Sequence, residues 1–161
     1  MSLIPYDRER AVDYARRWAF DRNPRFYDFS EIGGDCTNFV SQCLFAGSAV
    51  MNFTPVFGWY YLSASNRTAS WTGVEYLYNF LTTNEGDGPF GHVVGEDEAE
   101  AGDIIQLGNA DGDFYHTVLI TSVYPEILVA AHSYDAFDRP FDSYDYDVAR
   151  FIHIDGVRRE E

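Results

Sequence analysis

A chain of 161 residues, 46 % of them apolar, is long enough to bury one hydrophobic core and too apolar to be disordered. Its 26 acidic residues face 11 basic ones, all arginine, for a formal net charge of -15. That surface repels phosphate backbones and anionic lipid, so nucleic acid and membrane are excluded as expected partners, while cationic groups such as amines are attracted.

The N-terminus, Met1-Ser2-Leu3-Ile4-Pro5, has neither the charged nor the apolar region of a signal peptide, and no segment approaches the ~20 apolar residues that span a bilayer. The expected location is the cytoplasm, or outside the cell if the chain is a domain of a longer secreted protein. The spacing of Ala11, Tyr14, Ala15, Trp18 and Ala19 predicts an amphipathic helix from Asp7 to Arg22, ended by Asn23-Pro24. A polar loop with Tyr27 and the turn Gly33-Gly34 follows. Phe39, Val40, Cys43 and Leu44 then form the apolar stripe of a second helix that begins at or beside Cys36 and is capped by Gly47. On one helix, Cys36 and Cys43 lie about 10 Å apart by helical rise. A disulfide spans no more than ~7 Å, so both thiols are expected to be free.

Residues 48–71 read as irregular and aromatic, with Trp59, Tyr60, Tyr61 and Trp71. Thr72-Gly73-Val74-Glu75 has the spacing of a capping box for a short third helix to Leu81. The stretch from Asn84 to Ala101 is rich in glycine and then acid, and reads as a loop. Strands are predicted at Asp103–Leu107, Phe114–Val123, Ile127–Tyr134 and Arg150–Ile154, with links short enough for antiparallel hairpins. Helices followed by a meander define an α+β fold in one domain spanning 1–161, the N-terminal helices packed on a C-terminal antiparallel sheet.

Cys36 has the most chemistry around it. The paired glycines allow a sharp turn into the helix, whose positive N-terminal end favours thiolate and whose first N–H groups can hold an oxyanion. A thiol nucleophile needs a base. Of the four histidines, His92 lies in the glycine-rich stretch and His153 reads as a solvent-facing or edge residue of the last strand. His116 opens one strand and His132 lies near the end of the next, roughly equally far from the Tyr124-Pro125-Glu126 turn. They are expected to be cross-strand neighbours, His116 as base and His132 orienting it. Cys43 reads as a buried small hydrophobe. No metal site is expected: the cysteines lack zinc-ligand spacing, and Asp142–Asp147 lacks the glycine and terminal Glu of a calcium loop and reads as solvated.

The segment Gly33-Gly34-Asp35-Cys36-Thr37-Asn38-Phe39-Val40 resembles the Gly-x-Asp-Cys-Ser-Gly-aliphatic pattern of papain-like peptidoglycan hydrolases of the NlpC and CHAP types. Ala101-Gly102-Asp103-Ile104-Ile105 and Tyr115-His116-Thr117-Val118 are similar to the step that opens their sheet and to their histidine strand. Trp18 to Pro24, Asp35 to Gln42, Gly58-Trp59-Tyr60, Trp71-Thr72 and Ala131-His132-x-Tyr134-Asp135 further resemble the bacterial "putative amidase domain" family within that group. The resemblance implies a papain-like fold with Cys36 as nucleophile, His116 as base and His132 as third polar residue, with Asp135 competing for that role. It also implies Tyr27 as a hydroxyl near the oxyanion and Asp35 as a contact for a substrate amine or a helix N-cap. Thr37-Asn38 replaces the family's Ser-Gly, which places Thr37 against the substrate and narrows the groove at Asn38.

The activity expected is amide hydrolysis through a thioester without a cofactor, on a cell-wall peptide or a small amide. Two alternatives stand beside it: a non-catalytic module binding peptide or glycan through Trp59 and Trp71, and acyl transfer to an amine.

Overall fold

The computed structural model describes residues 1–161. Strand β1 (Ser2–Ile4) leads into helix α1 (Arg8–Trp18), whose N-cap Asp7 accepts the Arg10 N–H at 3.0 Å. Ala11 and Ala15 are fully buried, and these small side chains bring α1 close against α2 (Cys36–Ser48). The Tyr14 hydroxyl donates to Gln42 Oε1 of α2 at 2.5 Å. Helix α1 stops at Trp18, short of the expected Arg22, because Asp21 N–H closes a turn onto the Trp18 carbonyl. Helix α2 starts at Cys36 as expected and is buried nearly all round, Thr37, Asn38, Ser41 and Gln42 included. It is the central helix, which explains why its apolar stripe understated its burial. Its cap is Ala49 at φ 59°, not Gly47.

A small hairpin, β2 (Tyr61–Ser63) and β3 (Asn66–Arg67), precedes helices α3 (Ala69–Thr72) and α4 (Val74–Thr83). The remainder is sheet: β4 (Gly88–Val94), β5 (Ile104–Gly108), β6 (Phe114–Ser122), β7 (Leu128–Ala131), β8 (Ala136–Pro140) and β9 (Val148–Arg159). Every pairing is antiparallel, in the order β9-β5-β6-β7-β8. The long β9 carries β4 along one edge, and β5 and then β1 along the other. His153 is therefore in an interior strand and half-buried against Asp103, neither the edge nor the solvent-facing residue expected, and His92 is on β4 rather than in a loop.

One sheet face, with Ile104, Leu119, Ala130 and Ile152, packs against the helices. The other, with Ile105, Val118, Ile120 and Val129, packs on Phe141 and Phe151. Trp59 and Trp71 are fully buried in the helix-side core, their ring centroids 4.6 Å apart. The expected aromatic binding surface is thus corrected: these rings are core, and their indole N–H groups donate to Ser41 Oγ and Asn38 Oδ1.

The Gly102-Asp103 step is a structural clamp. The fully buried Asp103 carboxylate accepts from Arg8 Nη1 at 2.7 Å and from the N–H groups of Ile154 and Glu100, and meets His153 Nδ1 at 2.8 Å. It thereby ties α1 to β9 and to the start of β5. No helix is long and apolar enough to cross a membrane.

Candidate active site

The site forms where the sheet opens. Strand β7 pairs with β6 as far as Leu119↔Ala130, and β7 ends one residue later at Ala131. Strand β6 continues back to Phe114, so its first residues have no β7 partner. The N-terminus of α2 lies in that gap. Gly33 and Gly34 lead into it at φ +84° and +98°, a left-handed pair that side-chain-bearing residues adopt only with strain.

Cys36 and His116 share one cavity there, of about 380 Å³, with Tyr115, Arg139 and Tyr144 among the other lining side chains. No acidic residue lines it. Strand β6 reaches it through a bulge: Leu107 pairs with His116 and Gly108 with Phe114, leaving Tyr115 as the extra residue. Such a bulge re-aims the side chains beside it, and it lies directly before His116.

Half-buried Cys36 presents its sulphur to the backbone N–H groups of Thr37 and Thr117, with the Thr37 hydroxyl at 3.7 Å. The Thr37 hydroxyl is also 2.9 Å from that of Thr117, which pins the helix start to the strand carrying His116. Burial pushes the Cys36 thiol up, against the lowering by these donors, so the low thiol pKa expected from the helix end alone is corrected. Burial and then the nearby Arg139 guanidinium push His116 down to about 4. Both shifts favour the uncharged forms, thiol and neutral imidazole. The His116 ring makes no hydrogen bond to another residue; its ring centroid is 5.8 Å from that of Tyr144. Cys43 is the second free thiol and is buried in the core.

His132 is placed away from His116. Continuing the β6–β7 register sets it opposite Thr117, one residue off, so it is not the cross-strand neighbour that equal spacing from the turn suggested. Its Nδ1 is 2.6 Å from Asp35 Oδ2, and its Nε2 is 2.9 Å from the Trp18 carbonyl and 3.1 Å from Arg22 Nη1. Phe39 stacks on the ring at 4.0 Å between centroids. Asp35 makes no side-chain N-cap bond and is 1 % exposed, too deep to meet a substrate amine. Its Oδ1 accepts from the Phe29 N–H and from Asn38 Nδ2. Asp135 receives Arg22 through both carboxylate oxygens, at 3.0 and 3.1 Å. Asp35, His132, Arg22 and Asp135 therefore form a brace beneath Cys36, joining the end of α1, the start of α2 and the chain after β7.

Tyr27 is exposed, packs edge-on against Phe29 and does not line the cavity. Thr37 is fully buried, facing β6 rather than open space. Arg139 and Tyr144 were missed by sequence reasoning. The available signal was the alternation Ala136-Phe137-Asp138-Arg139-Pro140, which forms β8, the strand beyond β7. No group of three or more His, Cys, Asp or Glu side chains is arranged to hold a metal ion.

An α+β chain with a thiol at a central helix start and an imidazole on the adjoining strand is the class defined by this fold and site. The chain belongs to the family described as "putative amidase domain", which matches residues 5–154; that description is of an amide hydrolase. It is similar to an uncharacterized protein, YhbB, of Bacillus subtilis (strain 168), with 35 % identity over 138 residues that cover 81 % of this chain. The match spans 42 % of that relative's length. No solved structure matches the chain.

Proposed function

We propose that this protein hydrolyses an amide bond in a peptide or small amide through a thioester on Cys36, with His116 as general base and acid, on a papain-like fold. The observation that carries the reading is the shared cavity of Cys36 and His116. The fold assignment is supported by the order of elements, a cysteine helix laid against an antiparallel sheet whose second hairpin strand bears the histidine.

In this reading the neutral imidazole takes the thiol proton as sulphur attacks the carbonyl carbon. The developing oxyanion is received by the Cys36 N–H, which precedes the first helical bond and has no carbonyl within the helix to serve. His116 returns the proton to the nitrogen as the C–N bond breaks and the amine leaves. Water, deprotonated by His116, then cleaves the thioester to carboxylic acid and free thiol. The Thr37–Thr117 bond and the brace from Asp35 to Asp135 hold the two reacting side chains in register.

The proton assignment sets the pH dependence. A base whose pKa is lowered to about 4 is unprotonated at all higher pH, so hydrolysis keeps its acid limb near pH 4 instead of the 6.5 of an ordinary imidazole. A raised thiol makes iodoacetamide alkylation of Cys36 climb with pH past the usual thiol range, without a plateau at neutrality. Measured by mass spectrometry of the Cys36 peptide, a flat rate between pH 5 and 8 would instead reveal a thiolate–imidazolium pair and overturn this assignment.

A further inference from the structure

The cavity differs in charge from the rest of the molecule. In a chain with 26 acidic residues it has no acidic lining, and its one permanently charged side chain is Arg139. We infer that Arg139, with the hydroxyl of Tyr144, binds a carboxylate on the substrate close to the scissile amide, so that the enzyme selects anionic acyl compounds. This rests on the reading of Cys36 and His116 as the reacting pair.

The guanidinium is held in place before any ligand arrives. Arg139 Nε donates to Ser143 Oγ at 2.7 Å and Nη2 donates to the Ser143 carbonyl at 3.1 Å. Ser143 Oγ in turn donates to the Pro140 carbonyl at 2.6 Å, which fixes the acceptor. The guanidinium carbon lies 3.7 Å from the centre of the Tyr144 ring, a cation–π contact that fixes its plane. Its hydrogen bonds use Nε and Nη2 and both go to Ser143, and no carboxylate lies within salt-bridge distance of it. The three arginines that meet a carboxylate from a distant element, Arg8 with Asp103, Arg22 with Asp135 and Arg150 with Glu75, lie outside this cavity.

The second group adjoins the first, on the ring that the guanidinium stacks against. The Tyr144 hydroxyl oxygen is buried without a hydrogen-bond partner. A buried hydroxyl left without an acceptor is costly, and its retention in a cavity-lining residue beside the guanidinium is accounted for by a ligand acceptor. An oriented planar guanidinium edge plus a hydroxyl donor matches a carboxylate better than it matches a neutral amide or an ammonium. The anionic surface steers cations broadly, while the one permanently charged side chain lining the cavity is a cation. The carboxylate could belong to a peptide's C-terminus or to an acidic side chain; the chemistry recognised is the same.

The test compares iodoacetate with iodoacetamide as alkylators of Cys36, which differ in one charged group and share the same displacement of iodide by sulphur. The ratio of their rates cancels changes in thiol reactivity. For the native protein that ratio exceeds the ratio for N-acetylcysteine, despite the net charge of -15. In Arg139→Gln it falls about tenfold, the scale of one charge-assisted contact, and Arg139→Lys restores part of it. Tyr144→Phe lowers it by a smaller factor. Circular dichroism establishes that each variant is folded, and the Lys variant carries the test if the Gln variant is not. An unchanged ratio in folded Arg139→Gln, with iodoacetamide still labelling Cys36, overturns the inference and leaves the catalytic reading intact. Loss of the catalytic reading shows separately, as amide hydrolysis that survives Cys36→Ala.

Discussion

Cys36→Ala abolishes hydrolysis of the best substrate from a panel of fluorogenic peptidyl amides, lowering kcat/KM by at least about 10⁴-fold, and His116→Ala lowers it by about 10³- to 10⁴-fold. The magnitude follows from the roles proposed. Without sulphur there is no acyl intermediate, and without the imidazole no group in the cavity can take the thiol proton: Arg139 is permanently charged, and Tyr115 and Tyr144 are phenols. The double variant loses little more than Cys36→Ala alone, because the two residues act in one step. Cys43→Ala stays within a few-fold of the native protein, since that thiol is buried in the core. Stopped assays with protein of matched helicity check this, and activity remaining in Cys36→Ala at more than a few per cent contradicts it.

Removal of His132 has the largest expected effect on stability. Its ring is 1 % exposed, bonded through both nitrogens and stacked on Phe39, so His132→Ala leaves a cavity and strips the buried Asp35 carboxylate of its closest partner. Breaking a buried charged or polar pair from one side costs about 3–5 kcal/mol, roughly 10 °C in Tm for a chain of this size. Asp35→Asn keeps the shape and an acceptor for the Phe29 N–H, and costs about 1–3 kcal/mol. Both variants also lose activity, because Asp35 is the residue before Cys36 and its displacement moves the sulphur. Thermal unfolding followed by circular dichroism gives the comparison. A His132→Ala protein with native Tm and a hundredfold lower kcat would instead assign His132 to the chemistry.

The contrast between His116 and His132 explains what could be read in the sequence. Cys36 was legible because its glycines, helix start and apolar stripe lie within a dozen or so residues. The strands β5 and β6 were legible from alternation and a short turn. The relation between the two histidines was not, since a bulge near Ser122 and another at Tyr115 shift the register, and one residue of shift exchanges the faces of a strand. Strand β4 was hidden by its glycines. Gly91 is required there because any Cβ would stand 2.0 Å from the His153 carbonyl oxygen of β9. Trp59 and Trp71 read equally well as platform or core, and only long-range packing against Phe80 and Phe26 decides between them. Arg139 was obscured by the acidic residues around it, because its importance lies in the neighbours that the fold supplies.

Capture of the acyl-enzyme tests directly whether Cys36 carries the acyl group. The protein is mixed with a library of peptidyl thioesters and amides, quenched in acid within its first turnovers and digested, and the Cys36 peptide is weighed by mass spectrometry. An acyl adduct is expected on Cys36 that disappears on hydroxylamine treatment and does not form in Cys36→Ala, with acyl groups bearing a carboxylate enriched. Turnover of an amide with no adduct on Cys36, or an adduct on Cys43 instead, would contradict it.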